Sequence, residues 1–198
     1  MLTLYFSPGS SSMAVHIALH EIGVEFEPRP LSFVRKEQRD PAFLAVNPEG
    51  KVPTLVIDGR PLTEVAAILF YLAKRYKQAN LLPANDPEAE AQAIAWMSYA
   101  ASTLHPARRQ GTEHALAVWK LADKKLGQRM WALGRYSIAD IHLFRLFWRF
   151  GGQLGAPPDS PALDPCPNLT AHRARMMARE AVRRTIEIES KIGFELPP

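Results

Sequence analysis

Three consecutive serines, Ser10-Ser11-Ser12, stand between a strand-like run and a helix-like segment. A helix N-terminus exposes N–H groups without intrahelical partners and carries partial positive charge. A hydroxyl placed there donates a hydrogen bond to an anion held at that end, and a thiolate is such an anion. A free thiol has a pKa of about 8.5, which a helix N-terminus lowers. Turn and N-cap duty also suit serine, so the local pattern supports both uses. A second place is Val52-Pro53, at the entrance to an apolar run. Proline is tolerated in the trans form at a strand start. In the cis form it is a deliberate feature, and it offers the backbone of Val52 to a peptide-like ligand. A third place is Thr63-Glu64-Val65, which opens a periodic helix. The dipole stabilises a carboxylate there, which either caps the helix or accepts an ammonium group.

The elements that must position these residues follow from pattern. Leu2–Phe6 is a run of β-formers and Ser7–Ser10 a turn. Ser11 or Ser12 caps a helix to Ile22, with Val15, Leu19 and Ile22 on one face and Gly23 closing it. Val24–Pro30 alternates as a second strand. Asp40–Val46 is a short helical turn ended by Asn47–Gly50. Val52–Ile57 is a third strand, Asp58-Gly59 a hairpin turn and Arg60–Leu62 a fourth strand. Thr63 caps the helix Glu64–Tyr76. The order is βαβ followed by ββα, which predicts a small mixed sheet with helices on it.

After Lys77 the texture changes. Residues 80–87 hold two prolines and no periodicity. Everything beyond reads as helical: Glu88–Leu104, Thr112–Met130, the nearly all-apolar Ser137–Phe150, and Leu169–Ile192. Ser137-Ile138-Ala139-Asp140 is a capping box with aspartate in the glutamate position. Gly151–Pro167, with five prolines, reads as a long loop. The expected organisation is an α/β domain over residues 1–78, a linker over 79–87 and an all-α domain over 88–198.

Composition narrows the function classes. The 198 residues are 47% hydrophobic and 22% charged, as in ordinary globular proteins. No stretch approaches the ~20 apolar residues of a membrane span, and the N-terminus lacks a secretory pattern. A single cysteine, Cys166, excludes an intramolecular disulfide and an all-cysteine metal site. Both points suit the cytoplasm. The net charge is +4. Its densest part, Arg173, Arg175, Arg179, Arg183 and Arg184, is interleaved with Glu180, Glu187 and Glu189. It therefore reads as a solvated helix face, and no nucleic-acid recognition motif accompanies it.

Taken in order, the pieces YFSPGSSSMAVHIALHEIG (5–23), NPEGKVPTL (47–55), LTEVAAILFYLAKRY (62–76), IAWMSYAASTLH (94–105) and YSIADIHLF (136–144) cover almost the whole chain. That set resembles the cytosolic glutathione transferases, most nearly the bacterial beta class and its relatives. The resemblance implies a thioredoxin-like N-terminal domain, a helical C-terminal domain and a homodimer. It implies glutathione as co-substrate and no metal. The cysteinyl backbone of glutathione pairs with Val52, before a cis-proline at Pro53 and beside Lys51. The γ-glutamyl end meets Glu64 and Val65. The glycyl carboxylate meets Arg35 or Lys36. The sulfur faces the first helix, with Ser11 as activator, Ser10 and Ser12 as alternatives and Tyr5 behind them. The electrophile occupies a cleft between the domains, faced by His105. A histidine near a helix end, satisfied by a carbonyl, is the plain alternative for His105.

Several positions depart from the beta-class pattern. Ser11 stands where a cysteine is frequent, and Cys166 lies far along the chain, so a mixed disulfide at the first turn is not expected. Val65 replaces a frequent serine, Pro106 replaces a frequent lysine, and the stretch from His105 to Ser137 is short. The favoured expectation is conjugation of the glutathione thiolate to small apolar electrophiles. A transferase-like ligand-binding protein and a glutathione-dependent reductase or peroxidase are the alternatives.

Overall fold

The computed structural model describes residues 1–83, 85–153 and 165–195. Contacts divide the chain into two compact units, Met1–Ala79 with Glu180–Pro198, and Asn80–Arg179.

The first unit is built on a sheet of order β2-β1-β3-β4, from β1 (Leu2–Phe6), β2 (Glu27–Pro30), β3 (Thr54–Ile57) and β4 (Arg60–Thr63). β1 and β2 are parallel, and α1 (Met13–Ile22) makes the crossover that a parallel pair requires. β3 and β4 are antiparallel, joined at Asp58-Gly59 as expected. β2 is shorter than the alternation suggested, because only Glu27–Pro30 pairs with β1. Its two prolines are accommodated because the strand lies at the sheet edge.

Leu2, Leu4 and Phe6 alternate onto one face and are buried. The Phe6 ring meets His16 of α1 in a tilted contact, with centroids 4.9 Å apart. Tyr5 points the opposite way, onto Phe43 of α2 (Pro41–Leu44), with ring centroids 5.2 Å apart. α3 (Val65–Arg75) packs against α1 and supplies Ile68, Leu69 and Leu72 to the core. Thr63 ends β4 rather than capping α3; the N-cap position belongs to Glu64, at φ 68°.

The last stretch corrects two expectations. Leu169–Ile192 is two helices, α8 (Pro167–Met177) and α9 (Glu180–Ile192), with a break at Ala178-Arg179. α9 packs on α1 and belongs with the sheet, so the compact helical unit ends at Arg179 instead of running to 198. Two polar pairs hold α9. His16 Nδ1 lies 2.8 Å from Glu189 Oε1, and His20 Nδ1 lies 2.9 Å from Thr185 Oγ1. Each pair is spaced by four on its own helix, so the helices run antiparallel with one polar seam. The arginine-rich stretch is therefore only partly a solvated face: Arg173 and Glu189 are buried, while Arg183, Arg184 and Glu187 are exposed.

The second unit is helical among its described residues. α4 (Pro87–Tyr99) starts at an Asp86 cap, whose Oδ1 accepts the Ala89 N–H at 3.0 Å. It runs through a π turn, Ala100–Leu104, into α5 (His105–Ala107). Pro106 explains the wide turn, because a proline removes one helical hydrogen bond and crowds the carbonyl four residues earlier. α6 (Thr112–Leu126) stops short of Met130 at Gly127, φ 58°. α7 (Ile138–Gln153) is buried along most of its described length and continues past Phe150. The rest of the expected proline-rich loop lies largely outside the described residues.

Trp96, Trp119, Phe147, Phe150 and Leu169 form the core of this unit. Asp140 ties it together. Its Oδ2 accepts from the Ser137 N–H at 2.9 Å and the Ser137 hydroxyl at 3.0 Å. Its Oδ1 accepts the Ala132 N–H at 2.7 Å and bonds His172 Nε2 at 3.0 Å. Only half of the expected capping box forms, because the serine hydroxyl is engaged by the carboxylate.

Candidate functional site

The serine turn separates into two structural residues and one accessible one. Ser12 is fully buried. Its hydroxyl donates to the Ser7 carbonyl at 3.2 Å and accepts the Ser7 N–H at 3.1 Å. Ser10, also buried, bonds Ser12 Oγ at 2.6 Å and accepts the Ser12 N–H at 3.3 Å. Both hydroxyls close the turn on itself. Ser11 alone of the three is part-exposed, and its Oγ donates to the Val52 carbonyl at 3.3 Å.

The turn is fixed from outside by α9. Glu189 Oε2 accepts the Gly9 N–H at 2.6 Å while Oε1 bonds His16. A buried carboxylate is tolerated when both oxygens are satisfied in this way. No local pattern marked Glu189, since its partners lie 173 and 180 positions away.

The Val52-Pro53 peptide is cis. Asn47 organises the chain leading to it. Asn47 Nδ2 donates to the Lys51 carbonyl at 2.9 Å and Thr54 Oγ1 at 3.0 Å, and its Oδ1 accepts the Glu49 N–H at 3.1 Å. Gly50 is required between them. Its φ is 62°, and a Cβ there would meet the Gln38 carbonyl at 2.6 Å. The quoted NPEGKVPTL segment thus contained a clamp that residue types alone did not reveal.

Glu64 is exposed, at φ 68° and ψ 121°, and Val65 behind it is buried. A non-glycine residue held at positive φ is strained. Arg35 and Lys36 sit on the exposed loop after β2. The Arg35 Nε donates to Glu37 Oε1 at 2.9 Å, and Lys36 has φ 58°. Lys51 is exposed and pairs with Glu49 at 2.8 Å. Tyr5 lines a groove on the α2 side of the sheet, with Thr3, Glu27, Val56 and Pro61, and none of the serines is in that groove.

His105 belongs to the helical unit. It stands at the junction of the π turn and the short α5, a few residues before the helical run ends at Gly111. Burial, then the cations Arg145, Arg108 and Arg109, push its pKa down to about 4, which leaves the ring neutral at pH 7. Among the described residues no cluster of three or more His, Cys, Asp or Glu could hold a metal ion. None of the described helices is long and apolar enough to cross a membrane.

A four-stranded mixed sheet, a helix N-terminus with an accessible hydroxyl, and a cis-proline beside it define a thioredoxin-like fold followed by a helical unit. Family models agree. The glutathione S-transferase N-terminal domain matches residues 1–74, and the C-terminal domain matches residues 64–180. The chain belongs to the glutathione S-transferase family of enzymes. Glutathione S-transferase GstA of Escherichia coli O157:H7 is 31% identical over 205 residues, spanning 95% of this chain and 98% of that one. A maleylacetoacetate isomerase of Pseudomonas aeruginosa is 30% identical over 175 residues, spanning 75% and 82%. Among solved structures, a Sulfitobacter glutathione transferase homolog with bound glutathione superposes with a TM-score of 0.85 at 32% identity, covering 98% and 99% of the two chains. The bacterial transferase BphK, solved as a ternary complex, gives 0.84 at 30% identity, covering 95% and 99%.

Proposed function

We propose that the chain is a beta-class-like glutathione transferase whose Ser11 hydroxyl stabilises the glutathione thiolate. The observation that carries this reading is the placement of Ser11. It is the accessible serine of the three, at the α1 N-terminus, and its Oγ is 3.3 Å from the carbonyl of Val52. A peptide cysteine aligned on the Val52 backbone would bring its sulfur to that hydroxyl and to the positive end of α1. The thiol proton leaves to water. The hydroxyl turns from the Val52 carbonyl and donates to the sulfur, which favours the ionised form. The thiolate then forms a carbon–sulfur bond to the electrophile as the leaving group departs with the bonding pair. Glu64 and Val65 take the γ-glutamyl end, and Arg35 or Lys36 takes the glycyl carboxylate. His105, neutral at pH 7, is assigned to the electrophile side, where apolar electrophiles are expected.

A beta-class transferase of Sphingomonas chungbukensis, at TM-score 0.79 and 32% identity, supports the class assignment. A homodimer and a cytoplasmic location belong to the same reading. The single buried cysteine accords with a reducing compartment.

The maleylacetoacetate isomerase relatives favour a second reading. There the thiolate would add to an activated double bond and leave again, so glutathione would be regenerated. Calorimetric titration with reduced glutathione is the first test. One saturable site per chain at or below millimolar concentration supports both readings. No heat and no thermal stabilisation would leave a transferase fold with another ligand. Consumption of glutathione thiol separates conjugation from isomerisation, and reduction of a small disulfide without conjugation would mark a reductase. Ser11→Ala should raise the apparent pKa of the bound thiol and lower turnover at neutral pH. An unchanged pH profile would remove Ser11 from the mechanism.

A further inference from the structure

The segment after α9 reaches the loop that carries Arg35 and Lys36. α9 ends at Ile192, and Gly193 follows at φ 105°, a conformation that L side chains rarely adopt. That turn brings Glu195 onto the loop. Its Oε1 accepts from Ser32 Oγ at 2.9 Å, and its Oε2 accepts the Val34 N–H at 3.0 Å. Ser32 Oγ in turn accepts the Arg35 N–H at 3.0 Å. From within the loop, Glu37 accepts the Ser32 N–H at 2.7 Å and the Arg35 Nε at 2.9 Å. Glu37 N–H closes the turn on the Ser32 carbonyl at 2.9 Å. The loop is therefore held by two carboxylates, one local and one from more than 160 residues away. The Val34 N–H first, and then the Ser32 hydroxyl, hold the Glu195 carboxyl below the usual carboxylate range against the opposing effect of desolvation.

We propose that Glu195 is a positioning residue for the glycyl end of bound glutathione. It touches no ligand atom. By fixing Ser32 and Val34 it sets where the next two residues, Arg35 and Lys36, present their charges. Arg35 is 70% exposed at its side chain, so nothing in the core locks its path. An exposed cation on an unanchored loop must be ordered when the ligand arrives, and that ordering weakens binding. An anchored loop is ordered beforehand. The C-terminal stretch thus serves two parts of the proposed tripeptide site, through Glu189 of α9 at the serine turn that faces the sulfur and through Glu195, beyond α9, at the glycyl loop. The inference rests on the glutathione reading above.

The test uses the full chain, reduced glutathione, its glycyl ethyl ester and chlorodinitrobenzene as the electrophile. Wild type should show a higher KM for the ester than for glutathione, because the ester lacks the glycyl charge. Glu195→Ala should raise the KM for glutathione about fivefold, the size of one net hydrogen bond. The loss should be confined to that KM, and the ester penalty should shrink towards none. Glu195→Gln, which keeps one acceptor oxygen, should fall between. A general structural role would raise both KM values together and leave their ratio unchanged in both variants, which overturns the proposal. A lowered KM for glutathione would mean that the Glu195 carboxylate competes with the glycyl carboxylate, and also overturns it. If Glu195→Ala does not fold, the ratio in Glu195→Gln decides. Calorimetry on wild type separates the two levels. Absence of saturable glutathione binding overturns the glutathione reading together with this inference; binding with an unchanged ester ratio overturns the inference alone.

Discussion

Glu189 and Gly9 are 180 positions apart, yet the carboxylate of one accepts the backbone N–H of the other at 2.6 Å. The serine turn is consequently held by a helix that follows the whole helical unit. Removing the carboxylate deletes the acceptor of the Gly9 N–H and the Nδ1 partner of His16 from a buried place. Glu189→Ala should therefore cost about 3 kcal/mol, lowering Tm by roughly 6–12 °C for a chain of this size. Amide exchange should rise in α1 and α9 and stay unchanged in α7. Uniform acceleration would refute a local role.

Asp140 is the corresponding tie in the helical unit, with four donors on two oxygens. Asp140→Ala should cost about 3 kcal/mol. Here exchange should rise first around Ala132, Ser137 and His172. A Tm within a degree of wild type would show that these bonds are replaceable.

Glu64 carries two opposed effects. Its φ of 68° is strained for a side-chain-bearing residue. Glu64→Gly should raise stability by about 1 kcal/mol, seen as a Tm gain of roughly 2–4 °C. The same change deletes a carboxylate from the proposed γ-glutamyl position, so the KM for glutathione should rise. Stability and affinity moving in the same direction would contradict this assignment.

Acid sensitivity follows from three histidines. Burial is the first cause in each case, lowering His20 and His105 to about 4 and His142 to about 3. Unfolded histidines take up protons near 6.5. As pH falls from 6.5 towards 4, the unfolded chain binds protons that the folded chain does not, so stability declines with pH. The urea midpoint should drop steadily over that window. His142→Leu should flatten the decline, and a midpoint independent of pH between 7 and 4 would rule out buried neutral histidines.

Cys166 is buried, and burial followed by the Asp123 carboxylate pushes its thiol up to about 11. Alkylation by iodoacetamide at neutral pH should be slow in the native protein and rapid in urea, since the thiolate is the reacting form. Rapid native labelling would contradict that environment.

Much of the sheet unit was legible because its signals are local. Gly23 ends α1 at φ 72°, Asp58-Gly59 makes the hairpin, and the apolar spacing of Val65–Arg75 gives α3. What escaped was non-local or depended on geometry. Nothing between Met177 and Glu180 is glycine or proline, so the break between α8 and α9 had no marker. What distinguishes the three serines is three-dimensional, since the Ser10 and Ser12 hydroxyls bond within the turn while the Ser11 hydroxyl reaches the Val52 carbonyl. Thr63 looked like a cap because its type suits one, but pairing with Thr54 keeps it in β4. Glu189 looked like a surface acid within a mixed-charge stretch, and Glu195 carried no local signal at all, because the partners of both belong to the other end of the chain.

The position of α9 also bears on synthesis. Ribosomes deliver the sheet strands first and α9 only after the entire helical unit has been made. Until then Gly9 and His16 lack their carboxylate, and the loop at Ser32 lacks its distant anchor. A nascent chain can thus form its strands early while the serine turn stays unfastened. The turn is fastened only once α9 has been made, so a chain interrupted before α9 should lack a fixed serine turn.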